Sequence, residues 1–174
     1  NLSYVGQYEW GELEGRYFHQ HLRHHMDYIQ DRFAGMLMPM DTVATTDGGL
    51  IKASVVLSET HTVRIGSDFQ KYRLDDWWPP INAGVSMCCN NFWNIRDGKR
   101  DRYGLFSEWE AQWTPAWTSL LGIRYDTVKS DAGAAEGYGL GYAGDARRFN
   151  AKEHKRQDEH YDASALLRFT PDKF

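Results

Sequence analysis

The feature of this sequence that most limits its possible folds is an alternation of apolar and polar residues on both sides of one short turn. Before the turn, apolar side chains fall on one side and polar ones on the other: Tyr103, Leu105, Trp109, Ala111 and Trp113 against Gly104, Glu108, Glu110 and Gln112. After Thr114-Pro115-Ala116 the alternation resumes through Trp117, Leu121, Ile123 and Tyr125. A period of two residues is that of a β-strand. The stretch therefore predicts a hairpin with one apolar and one polar face.

Similar stretches recur along the chain and predict about seven strands. They lie near residues 2–10, 12–26, 48–58, 62–74, 102–113, 117–129 and 158–170. Several run to 11 or more residues, whereas globular strands commonly have roughly 5 to 6 and tilted bilayer-crossing strands need about 9 to 11. Short turns near residue 11 and at 58–61, 114–116 and 170–173 alternate with long loops at 27–47, 75–101 and 130–157. This alternation is typical of an outer-membrane barrel.

Aromatic residues concentrate near both ends of the predicted strands. Tyr8, Trp10, Trp113, Trp117 and Phe169 adjoin short turns, and Tyr72, Tyr103 and Tyr125 adjoin long loops. Because Trp and Tyr favour the two water boundaries of a membrane, the sequence predicts an all-β fold, a segment of a transmembrane antiparallel β-barrel. The alternative is a soluble β-sandwich binding module, since ordinary antiparallel sheets also alternate around a protein core.

Composition excludes other classes. The 20 Lys and Arg against 24 Asp and Glu give a formal net charge of -4, so nothing indicates a nucleic-acid partner. No apolar run approaches the roughly 20 residues of a membrane helix. The sequence contains no Gly-rich phosphate loop, GxSxG or HExxH motif, and we therefore predict that the protein is not an enzyme.

We expect residues 1–174 to be part of one outer-membrane β-barrel domain. About seven strands are fewer than the eight of the smallest membrane barrels. The N-terminal “NLSYVGQYEW” also lacks the basic start and apolar centre of a signal peptide. The remaining strands are therefore expected to lie outside this sequence.

Three longer motifs resemble the barrel domain of TonB-dependent outer-membrane receptors, over roughly residues 1–173. They are “YRLDDWWPP”, “FWNIRDGKRDRYGLFSEWEAQWTPAWTSLLGIRYDTV” and “YAGDARRFNAKEHKRQDEHYDASALLRFTPD”. The resemblance implies a bacterial outer-membrane barrel of about 22 strands filled by its own plug domain, which is absent from this sequence. It also implies import of a scarce ligand driven by the TonB complex through a missing N-terminal region. “DDWWPP” and “FNAKEHKRQDEHYD” resemble members associated with copper or other metal uptake.

Soft metal ligands concentrate around the predicted long loops. The candidate metal ligands are Met36, Met38, Met40, His24, His25, Met26, Met87, Cys88 and Cys89. Sulfur ligands suit Cu(I) and imidazole suits Cu(II). We therefore predict that copper or a copper chelate is the transported ligand and that no resident cofactor is required. Two alternatives stay open: the methionines pack the loops while the histidines are solvated, or the ligand is a ferric siderophore.

Other polar and aromatic residues have both a binding and a structural interpretation. Asp75 and Asp76 are candidates to bind a cation, and Trp77 and Trp78 are candidates to stack on a chelate; alternatively, the Trp pair packs the base of the loop. The charges of the polar face are expected to form a hydrated wall that holds the plug: Arg64, Asp68, Glu108, Glu110, Arg124, Asp126, Asp162 and Arg168. The basic stretch “RRFNAKEHKR” is expected to be a solvated loop, with lipopolysaccharide as a further partner beside the membrane lipid.

Overall fold

The computed structural model describes residues 1–26, 39–80, 90–137 and 139–171. They form one antiparallel sheet whose seven strands are paired in chain order. The strands are β1 (Leu2–Tyr8), β2 (Gly11–Met26), β3 (Met40–Ser58), β4 (His61–Trp78), β5 (Phe92–Gln112), β6 (Trp117–Asp131) and β7 (Arg156–Phe169). All seven predicted strands are confirmed. A sandwich would place its strands in two packed sheets, whereas these strands form one.

One helix, α1 (Gly139–Asn150), lies in the connection between β6 and β7 and was not predicted. Its segment contains several glycines and has little apolar periodicity, so the sequence carries a weak helical signal. Within the described ranges, no helix is long and apolar enough to cross a bilayer.

The central strands are longer than predicted. β3, β4 and β5 contain 19, 18 and 21 residues, and they include parts of the predicted loops 27–47 and 75–101. Beyond the apolar region both faces of these strands carry polar side chains, so the period-two pattern ends while the backbone ladder continues. The prediction that Met40 and Asp75 to Trp78 lie in loops is therefore wrong.

Two local features of the backbone explain how the strands meet. Gly11 begins β2 with a φ of 138°, and a Cβ there would lie 1.9 Å from the carbonyl oxygen of Ser54, so only glycine fits. Asp97 adopts a φ of 49° where the register between β4 and β5 shifts. Its N–H donates to Asp75 Oδ1 at 2.8 Å, which closes the irregularity.

The strand register gives the sheet two chemically distinct faces. Gly122 lies opposite Glu108 and Ser164, whereas its neighbour Leu121 lies opposite Trp109 and Ala165. We call the side of Gly122 the polar face and the side of Leu121 the apolar face. The apolar face also carries Ile51, Ile65, Leu105, Ile123 and Leu167.

The sheet has almost no hydrophobic core of its own. Among the described residues, Ala44 and Ala111 are the only buried hydrophobic ones, while Leu121 is 44% and Ile123 is 67% exposed. Exposed apolar surface of this extent marks contact with a partner or a membrane. A wall whose apolar side chains face outward is the arrangement of a lipid-facing barrel.

Aromatic rows border the apolar face at both ends. At the short-turn end, Trp117 packs on Phe169 with ring centroids 4.7 Å apart, and Tyr8 stacks on Trp10 at 5.2 Å. At the long-loop end, Tyr125 packs on Tyr161 at 4.8 Å, and Tyr103 lies opposite Phe69. Tyr72 was predicted for this second row, but it lies three residues from Phe69 and therefore on the polar face.

Aromatic rings cover several glycines of neighbouring strands. A Cβ on Gly66 would lie 2.4 Å from the Phe106 ring and 2.7 Å from the carbonyl oxygen of Ile51. Gly66→Val is therefore expected to lower the free energy of unfolding of the full-length protein by about 1–3 kcal/mol through overpacking. The measurement is urea unfolding in detergent micelles. Gly15→Val is the control, because a Cβ there meets nothing within 4 Å; equal losses would contradict the steric explanation.

Candidate polar-face binding site

The polar face carries a chain of ion pairs along the middle of the sheet. Asp68 accepts hydrogen bonds from Arg102 and Arg124, each at 2.8 Å. Its carboxylate thereby connects β4 with β5 and β6. Arg124 also donates twice to Asp126, at 2.6 and 2.7 Å, and lies 5.8 Å from the Phe106 ring centroid. The short pairs leave these charges largely neutralised by one another, so the middle of the wall is a rigid polar surface.

Three further ion pairs flank this network. Arg64 donates to Glu110 at 2.7 Å. Glu14, only 6% exposed, binds Lys52 at 2.6 Å and Arg16 at 2.5 Å. The predicted Glu108, Asp162 and Arg168 also lie on this face, without ion pairs to any residue the structure describes.

Some members of the charge network were missed from the sequence. Arg102 alternates in phase with Gly104 and Glu108, so the period-two pattern contained the signal. Glu14 and Lys52 are neighbours only through the register of β2 and β3. That pairing spans a long connection, and neither strand alone reveals it.

The strand register brings three of the predicted soft ligands together near the loop end of the polar face. Met26 of β2 is paired with Met40 of β3, and His24 is paired with Thr42 one step below on the same face. All three residues lie at or near the ends of β2 and β3 that adjoin residues 27–38. We call His24, Met26 and Met40 the soft-ligand cluster.

The structure separates His25 from this cluster. His25 is paired with Asp41 on the opposite face, where its Nδ1 lies 2.5 Å from Asp41 Oδ1. The remaining predicted metal ligands, Met36, Met38, Met87, Cys88 and Cys89, lie outside the described residues. Within the part of the chain that the structure describes, no three His, Cys, Asp or Glu side chains form a metal-binding group.

The predicted substrate-binding residues at the end of β4 make structural contacts. Asp76, 6% exposed, accepts from Thr42 Oγ1 and Asn94 Nδ2, each at 2.6 Å, and so links β3, β4 and β5. Trp77 packs on Trp93 at 5.4 Å between ring centroids. These contacts agree with packing at the base of the loop. Ligand binding by Asp75, Asp76, Trp77 and Trp78 stays a prediction.

The connection that contains α1 folds back onto the end of β5. The N–H of Glu136 donates to the carbonyl oxygen of Trp93 at 2.7 Å, and that of Gly133 donates to the carbonyl oxygen of Arg96 at 2.6 Å. Asn150 closes the connection, since its side chain makes two hydrogen bonds to the backbone of Ala135, at 2.8 and 2.9 Å. The stretch “RRFNAKEHKR” is thus partly helical rather than only a solvated loop.

Comparison with known proteins agrees with a receptor barrel wall. The family model described as TonB dependent receptor-like, beta-barrel matches residues 1–171. No curated protein sequence matches the chain. A solved structure of the copper transporter OprC is similar with a TM-score of 0.65 and 14% sequence identity, over 95% of this chain and 26% of that one. The chain thus spans about a quarter of the length of that transporter.

The family assignment follows from the fold and the family match together. The chain has seven antiparallel strands in chain order and two distinct faces, and the family model matches nearly all of its residues. The chain belongs to the TonB-dependent receptor β-barrel family.

Proposed function

We propose that this chain is part of the wall of a bacterial outer-membrane receptor that imports copper or a copper chelate with energy from the TonB complex. The family match supports the TonB-dependent outer-membrane part of the proposal, and the exposed apolar face supports contact with lipid. The plug domain of the receptor would lie against the polar face. The receptor performs no covalent chemistry, and copper is its cargo rather than a resident cofactor.

The soft-ligand cluster is the observation that supports copper. Residues directly opposite on antiparallel strands have Cα atoms about 4.5–5.5 Å apart, so the Met26 and Met40 thioethers can reach one ion. His24 lies two residues from Met26, about 7 Å along the strand on the same face. Two thioethers and one imidazole together form a set of donor atoms that suits Cu(I). The resemblance to a transporter named for copper agrees with this cargo.

Copper binding by the full-length receptor tests the proposal. The receptor, purified in detergent, is titrated anaerobically with Cu(I), and bound copper is measured after desalting. We expect M26L combined with M40L, and separately His24→Gln, to weaken copper binding roughly 10-fold or more, because each removes donors from the same ion. Ferrous and ferric salts serve as the comparison metals.

His25→Gln is the matched control for this experiment. His25 is adjacent to His24 in sequence and chemistry, but it lies on the other face beside Asp41. Copper binding in this variant should match that of the wild type. Equal losses from the two histidine variants, or unchanged binding in the methionine double variant, would count against the cluster as a copper site.

A ferric siderophore is the second candidate cargo. The guanidinium carbon of Arg96 lies 5.4 Å from the Trp93 ring centroid, and Trp93 in turn packs on Trp77. Stacked indoles with an adjacent cation suit an aromatic, negatively charged chelate. Retention of a ferric chelate by the receptor, together with no bound copper, would favour this cargo.

A further inference from the structure

The imidazole of His154 lies between two backbone carbonyl groups. His154 is in the connection that contains α1, two residues before β7 begins. Its Nδ1 lies 2.9 Å from the carbonyl oxygen of Ala132, and its Nε2 lies 3.0 Å from that of Phe149. The ring also stacks on the Phe149 ring, with centroids 4.2 Å apart and planes inclined by 16°. One side chain thus joins the end of β6 to the end of α1.

These two contacts distinguish the charged ring from the neutral one. A carbonyl oxygen can only accept a hydrogen bond, so each ring nitrogen has to donate one. Neutral imidazole has a single N–H, whereas imidazolium has two. In the neutral ring, the lone pair of one nitrogen would face a carbonyl oxygen with no proton between them. The geometry therefore favours the imidazolium.

The segments around His154 contribute charges of both signs. The charged groups are Glu153 and Lys155 on either side of it, Arg147 and Arg148 in the last turn of α1, Asp131 at the end of β6 and Arg96 in β5. Arg148 binds Asp145, and among the described residues none of these groups forms an ion pair with His154. The carbonyl of Phe149 belongs to the last turn of α1, where the helix dipole favours a cation. Carbonyl groups and a helix end, rather than a carboxylate, thus hold the charged ring.

The other contacts that fasten the connection use amide groups. The Asn150 side chain bonds the backbone of Ala135, and the N–H groups of Gly133 and Glu136 donate to carbonyl oxygens of β5. Amides keep their donors and acceptors across the physiological pH range, whereas histidine changes its charge between about pH 5 and pH 8. Of these fastenings, the one at His154 is therefore the one that depends on pH.

The connection forms one side of a cavity of about 610 Å³. The cavity lies between α1, residues 135–137 and the start of β5. Arg147 and Glu136 line it from the connection, and Trp93 lines it from the sheet. Movement of the connection away from β5 would therefore open the cavity.

We propose that His154 is a pH-dependent latch that holds the α1 connection against β5 and so maintains this cavity. The imidazolium donates both hydrogen bonds, and the latch is therefore engaged at acidic pH. When the pH rises through the range in which histidine loses its proton, one of the two bonds is lost and the connection opens more often. The inference concerns the connection itself and does not rest on the proposed cargo.

Hydrogen exchange of the full-length receptor in detergent, measured by mass spectrometry, tests the latch. Peptides that contain Gly133 and Glu136 are compared at about pH 5 and about pH 8, after correction for the intrinsic pH dependence of amide exchange. In the wild type, we expect their protection to be roughly 10-fold higher at the acidic pH, because a hydrogen bond from a charged group is lost at the alkaline pH. The amides paired between β5 and β6 serve as the internal reference.

Two substitutions of His154 remove its titration in opposite ways. His154→Gln has no charge at either pH and should give the low protection at both, whereas His154→Arg keeps its charge and donors at both and should give protection that does not change with pH. His160→Gln is the matched histidine control. His160 lies in β7 opposite Asp126, and this variant should keep the pH dependence of the wild type.

Two results would overturn the latch. One is equal protection of the wild type at the two pH values, and the other is the same pH dependence in His154→Gln as in the wild type. If His154→Gln does not assemble, persistence of the pH dependence in His154→Arg overturns the latch in the same way. Copper titration is a separate measurement, so a receptor that binds no copper but shows the pH-dependent protection would refute the proposed cargo alone.

Discussion

Leu121→Arg is expected to lower the free energy of unfolding of the full-length receptor in lipid by about 2–4 kcal/mol, the cost of an arginine near the midplane on the lipid face of a barrel. Leu121 lies between the two aromatic rows, four residues from both Trp117 and Tyr125, and is 44% exposed in the sheet. In the proposed membrane location its side chain is expected to face lipid. An arginine there must leave the bilayer centre or draw water into it.

The matched control for this experiment is Leu120→Arg. Leu120 adjoins Leu121, but it points to the polar face and lies opposite Glu110 and Leu166. An arginine at this position meets water and a carboxylate, so the expected change is within about 0.5 kcal/mol. The measurement is denaturant unfolding in lipid vesicles, followed by tryptophan fluorescence. Equal destabilisation by the two substitutions would show that the apolar face does not meet lipid.

Arg124→Gln is expected to lower the free energy of unfolding by about 2–4 kcal/mol, because it removes the shared partner of two carboxylates. Asp68 and Asp126 have side chains only 14% and 12% exposed. Asp68 keeps Arg102 in this variant, whereas Asp126 loses both of its charged hydrogen bonds to Arg124. The loss should persist in moderate salt, since partly buried pairs are screened less than surface pairs.

Arg168→Gln is the control for the charge network, because Arg168 has the same side chain on the same face but no ion pair to a described residue. A loss of less than about 0.5 kcal/mol is expected for it. A double-mutant cycle with Asp68→Asn and Arg124→Gln should give a coupling energy of about 1–3 kcal/mol. A coupling near zero would show that the pair is solvated like an ordinary surface pair.

The sequence predicts those parts of the fold in which neighbouring residues meet different solvents. Leu121 and Gly122 meet different surroundings, and so the hairpin around Pro115 is readable from residue order alone. The part of β5 before residue 102 cannot be predicted in this way. Water surrounds both of its faces, so an alternation of apolar and polar residues has no physical cause there. Helix α1 is hidden for another reason: its backbone is fixed by Asn150 and the edge of β5 more than by its own apolar pattern.

The candidate site was predictable in composition but not in arrangement. The soft ligands are visible in the sequence, and the period of two already separates His24 from His25 once a strand is assumed. The pairing of Met26 with Met40 depends on the register across a connection of more than ten residues. Register follows from the whole ladder between β2 and β3, and a local pattern does not contain it.

The order of the strands has a consequence for how such receptors diversify. Each strand pairs only with the strands before and after it, so a connection can be lengthened, shortened or replaced without changing any partner in the wall. The cost of a longer loop rises only slowly with its length. The connections and the supporting wall can therefore change independently, and exchange of the α1 connection between related barrels should leave the pairing of the host strands unchanged.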